Sequence, residues 1–155
     1  SEGYISCASC HVDGGADGRV WDFTQRGEGL RNTIDLRGRA GMGHGNVHWS
    51  GNFDEIQDFE NDIRSGFGGL GFLDPGDFAA SADPLGAPKA GRNADLDALA
   101  AYVASLGVAE LPRSPHRAAD GRLAVVAGLG LQVFAANGCA TCHSGPYFTD
   151  SKLER

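Results

Sequence analysis

The chain has 155 residues, a formal net charge of −7 and 41% hydrophobic residues. That length holds one ordinary domain or two small ones, and the acidic balance, with no basic run, excludes a surface built for nucleic acid. No apolar stretch approaches the roughly 20 residues that a membrane-spanning helix needs, and 24 glycines put much of the backbone into turns and loops.

The first element in chain order is chemical. Cys7-Ala8-Ser9-Cys10-His11 is a Cys-x-x-Cys-His motif, and Cys139-Ala140-Thr141-Cys142-His143 repeats it near the other end, so the two copies use all four cysteines. This is the signature of covalent c-type haem attachment. Two thiols separated by two residues reach one porphyrin edge, and the adjacent imidazole becomes the proximal iron ligand. The competing readings are weaker. A disulfide framework gives no reason for a histidine after each pair. A zinc site wants compact finger spacing, and a thioredoxin-like motif wants a βαβ setting that the pattern lacks. Two c-type haems are therefore the expected cofactors, bound at Cys7, Cys10, His11 and at Cys139, Cys142, His143. Each haem adds apolar surface to a small core and makes redox chemistry the expected function class.

After His11, residues 12–18 read as turn, as does the glycine-rich run from Gly38 to Gly45. Arg31 to Leu36 reads as a short helix or extended segment. Phe53, Ile56, Phe59 and Ile63 recur at helical spacing, with Asp54, Glu55, Asp58 and Glu60 expected on the wet face. Residues 65–88 read as Gly/Pro/Asp-rich loop. Asn93 is the expected N-cap of a helix with Asp95 and Asp97 in its first turn, a stripe of Leu96, Leu99, Val103 and Leu106, and Gly107 as its stop. Pro112 and Pro115 stiffen a linker. Asp120 to Ala136 is predicted as a second helix, with Leu123, Ala127, Leu131 and Phe134 on one side, running into Cys139. The fold class predicted is mainly α: cytochrome c-like haem domains with short helices and long Gly-rich loops. The predicted division is a first haem domain at 1–108, a linker at 109–119 and the start of a second haem domain at 120–155. The second haem lacks chain to cover its far side on this division, which predicts a segment of a larger protein. Haem attachment outside the cytoplasm makes a periplasmic or otherwise exported location the expectation; residues 1–6 are too short and polar for a signal peptide.

Gly29-Leu30-Arg31-Asn32-Thr33 followed by His48-Trp49-Ser50-Gly51-Asn52-Phe53-Asp54 resembles the Arg-Asn … Trp-Asp-Gly segments of the bacterial dihaem cytochrome c peroxidases. Gly138 to Asp150 resembles their second haem segment; the methylamine-utilisation dihaem enzyme belongs to the same superfamily. The resemblance implies proximal ligation by His11 and His143, a tryptophan between the haems at Trp49, and a calcium-site side chain at Asn32. It also has departures. The family's distal histidine falls on Arg31, and its peroxidatic glutamate falls on the 66–70 glycine run, with Glu60 the nearest carboxylate.

The sixth iron positions are open in the sequence. For the first haem the candidates are His48, His44 and Met42, or no protein ligand at all. His116 reads as a linker surface residue that can reach the second haem, whose distal ligand is otherwise expected in further chain. The leading expectation is a periplasmic electron-transfer protein passing electrons between two haems, to or from a redox partner protein or attached redox domain. The enzymatic rival is a hydrogen peroxide reductase using Trp49 and Glu60 at the first haem, so enzyme status stays open. An oxidase acting on a protein or organic substrate is a third reading.

Overall fold

The computed structural model of the chain describes residues 5–151. In chain order these form α1 (Cys7–Cys10), the hairpin strands β1 (Val20–Phe23) and β2 (Gly29–Asn32), α2 (Phe59–Asn61), α3 (Pro75–Ala80), α4 (Ala94–Ser105) and α5 (Val125–Ala136). The mainly α, cytochrome c-like expectation is corrected here. The helices are short, 39% of the described residues are helical, and a two-stranded antiparallel sheet stands beside them. The cause is local. Val20, Trp21 and Phe23 favour extended backbone, and Gly27 at φ 79° closes the turn over Thr24–Arg26 that returns the chain along β1. Val20 then pairs with Asn32 and Trp21 with Arg31.

Val47, Phe53 and Ile56 form the buried core cluster, with Met42, Phe59, Ala100 and Val103 packed against it. Phe53 precedes the helical run and bridges to Val47, whose N–H donates to its carbonyl at 2.9 Å. The run itself is a 3₁₀ turn (Ile56–Asp58), then α2, then a π-helical turn (Asp62–Gly66). Two of its acids are not on a wet face: Asp58 is 1% exposed and Glu60 0%. Buried carboxylates persist only where donors surround them. Asp58 accepts from Lys89 Nζ at 2.7 Å and from the Asp54 and Glu55 amides at 3.1 Å each. Glu60 accepts from Arg64 Nε at 2.7 Å, Phe72 N at 2.9 Å and Leu73 N at 3.1 Å.

The loop expected over 65–88 contains α3, capped by Asp74, which accepts from the Gly76 and Asp77 amides at 2.8 and 2.9 Å with Pro75 in the first turn. α4 follows the sequence closely. Asn93 accepts from the Asp95 and Leu96 amides at 3.0 and 3.1 Å, and Leu96 and Leu106 are buried. α5 begins at Val125 rather than Asp120, because 116–124 fold back on themselves. Arg117 bridges to Leu123, and Gly121 turns at φ 84°. Among the described residues no helix is long and apolar enough to cross a membrane.

Candidate functional site

Both Cys-x-x-Cys-His motifs fold as a single helical turn. The His11 amide donates to the Cys7 carbonyl at 2.8 Å, and the His143 amide to the Cys139 carbonyl at 2.9 Å. Residues three apart on such a turn share a face, so each cysteine pair presents its thiols on one side with the histidine following. The two imidazoles also match in their second contact. His11 Nδ1 lies 3.4 Å from the Gly15 carbonyl and His143 Nδ1 lies 3.0 Å from the Phe148 carbonyl. A carbonyl only accepts, so Nδ1 is the donor in each ring, which leaves Nε2 as the nitrogen facing away from that hydrogen bond. Phe148 holds its carbonyl there at φ 55°, a left-handed conformation that bulky residues rarely adopt. Gly14, at φ 74°, does comparable work for the first motif. A Cβ there would press on Leu106 at 2.8 Å, so the turn after His11 docks on the end of α4.

All four cysteines are free. Burial, helped by the charges of Asp17 and Cys7, pushes the Cys10 thiol up from its ordinary value, the opposite of what a disulfide-exchange motif requires. Among the described residues no group of three or more His, Cys, Asp and Glu comes together.

A groove of about 580 Å³ lies beside the second motif. Leu123, Ala127, Leu131 and Phe134, the apolar side expected from the sequence, line it together with Pro146 and Phe148. Phe134 packs edge-on against Phe148 with centroids 5.5 Å apart, and its ring lies 6.3 Å from that of His143. The groove is thus an apolar trough walled by α5, and two of its lining residues, Phe134 and Phe148, also contact His143.

The remaining predicted site residues lie elsewhere. His48 is engaged at both nitrogens: Nδ1 lies 2.8 Å from Asn52 Oδ1 and Nε2 lies 3.3 Å from Asp62 Oδ2. Burial opposes its charge, but Asp62, Asn52 and Glu28 outweigh burial and raise its pKa above the ordinary value. Both ring nitrogens thus face acceptor oxygens, an arrangement that favours the charged ring. His44 faces Arg39 Nη1 at 3.1 Å through Nε2 and packs on Tyr147 with centroids 5.7 Å apart; burial and the Arg39 charge lower its pKa. Met42 packs on the core. Trp49 is 38% exposed, with the Arg31 guanidinium 6.0 Å from its ring centroid. Glu60 is enclosed by its donors, and Asn32 stands exposed at the end of β2.

One cluster carries no sequence signal. Ser50 donates to Glu28 at 2.7 Å with its Oγ 3.1 Å from Asn52 Oδ1, and Arg26 pairs with Asp62, so residues from the hairpin, the 48–52 loop and the π turn meet around His48. Its members come from segments far apart in sequence, and no spacing marks them. Comparison with family models, with characterised proteins and with solved structures finds no match to this chain.

Proposed function

We propose that the chain is a periplasmic dihaem c-type cytochrome that transfers electrons between two covalently held haems. The observation that carries this reading is the matched geometry of the two motifs: paired thiols on one turn, and a histidine whose Nδ1–H is held by a carbonyl. When bound, a haem iron supplies a one-electron couple. Cys7, Cys10, Cys139 and Cys142 would hold the haems through thioethers, and His11 and His143 would each offer an imidazole to iron. The net charge of −7 favours a positively charged redox partner.

The likeness to dihaem peroxidases is part of this proposal, and it gives Trp49 a place near the electron route. The peroxide-reducing variant draws no support from Glu60, whose oxygens are occupied by Arg64 and two backbone amides in a fully buried site. A proton carrier must reach the substrate. The reading is tested by intact mass and EPR on the oxidised protein. Two haem additions with low-spin signals are expected. Absence of haem on the chain overturns the proposal, and an open high-spin first haem shifts the function to peroxide chemistry.

A further inference from the structure

Resting on that reading, we propose that His116 is the second axial ligand of the haem held at Cys139 and Cys142. His116 and Arg117 line the same groove as Phe134 and Phe148, the two residues that contact His143. The position of His116 is fixed by the backbone. Its carbonyl accepts from the Ala124 amide at 2.8 Å, and Ala118 N donates to Arg122 O at 2.8 Å, so the 116–124 turn is pinned to the start of α5. The same helix walls the groove. His116 therefore belongs to the site's own scaffold, not to a free linker.

Within this chain the other imidazoles and the methionine sit elsewhere. Of the five histidines, His11 and His143 lead their motifs, His48 is held at both nitrogens, and His44 faces Arg39 through Nε2 and keeps its unpartnered Nδ1 buried, away from the groove lining. Met42, the single methionine, is packed on the core. The His116 ring is exposed, and among the described residues it takes part in no side-chain hydrogen bond, so either nitrogen is available to a metal. Arg117 adds a cation at the same border, where haem carboxylates need one. Its guanidinium is steadied by the Gly121 carbonyl at 2.7 Å.

Bis-histidine ligation gives a low-spin iron and a lower potential than histidine–methionine ligation. The test uses the full chain matured with haem, carrying Cys7→Ala and Cys10→Ala so that only the second haem is present. Mass spectrometry first establishes that haem at 139–142; its absence overturns the functional reading, and this assignment with it. With haem in place, EPR and near-infrared magnetic circular dichroism should report bis-imidazole, low-spin iron. His116→Ala should convert it to high spin, added imidazole should restore low spin, and His116→Met should restore low spin at a raised potential. A high-spin parent, or a low-spin His116→Ala protein, overturns the His116 assignment and leaves the function intact. Should His116→Ala fail to fold, the parent's magnetic circular dichroism and the His116→Met potential decide the matter alone.

Discussion

His48 sits at φ 69° with its ring stacked on Phe53, centroids 4.7 Å apart, and edge-on to Phe59. A non-glycine residue in that region persists only when its surroundings hold it, and here two carboxylates and an amide do so. Because the folded pKa lies above the ordinary value of 6.5, the native state binds this proton more tightly than the unfolded chain. The stabilisation is complete below pH 6.5 and is lost as pH rises through the folded value. The stability gap between the parent and His48→Gln should therefore shrink over that window in denaturant titrations at stepped pH; a constant gap would mean that His48 carries no charge. Gly71 makes a second residue-scale case. At φ 73° it leaves no room for a Cβ beside the Glu60 carboxylate and Arg64. Gly71→Ala should cost about 3 kcal/mol, combining left-handed strain with a disturbed buried hydrogen-bond set, and an unchanged urea midpoint would refute the close fit. At this scale the two Cys-x-x-Cys-His turns were legible because each is written in five consecutive residues. The surroundings of His48 were not, since its partners Asn52, Glu28 and Asp62 meet only after folding.

α4 owes its start to Asn93 and its place to Leu96, which is fully buried. Asn93→Ala should cost about 1 kcal/mol, the usual loss of a side-chain cap, while Asn93→Asp should keep most of it; equal losses would show that capping is not the cause. The helical run over 56–66 is tied to the 83–91 loop by the buried pair of Lys89 and Asp58, 2.7 Å apart with both residues near zero exposure. Removing one partner strands a charge, so Lys89→Met should cost about 3–5 kcal/mol. Adding Asp58→Asn should recover part of it, because the amide oxygen still accepts from the Asp54 and Glu55 N–H groups. No recovery in the double variant would point to lost packing of the lysine stem. Periodicity made α4 readable in the sequence, and Asp74-Pro75 was a cap-and-first-turn signal for α3 that the density of Gly and Pro around it obscured. The hairpin was harder to read. Its strands are four residues each, and Gly27 and Gly29 look like loop until the pairing is known.

Across the whole molecule, apolar surface is unevenly covered. Leu96 is sealed inside, yet Val125, Val126 and Val133 on α5 are 83, 66 and 61% exposed. The two halves nevertheless touch where Tyr147 lies against His44. Tyr147→Ala should speed amide hydrogen exchange in residues 41–45 and leave α4 unchanged; equal protection in both proteins would show that the loop holds itself. The Cys-x-x-Cys-His turns and the α5 lining of the groove were legible, because a five-residue motif and a helical period are local. The joining of the two halves was not, because nothing in either segment names the other. That joint also has a consequence in time. A chain is delivered N-terminus first, and the His44 loop must wait for a partner about a hundred residues downstream, a contact of high sequence separation that forms late. Tyr147 arrives only after His143 has emerged, so closing the loop marks the moment when both cysteine pairs have been delivered.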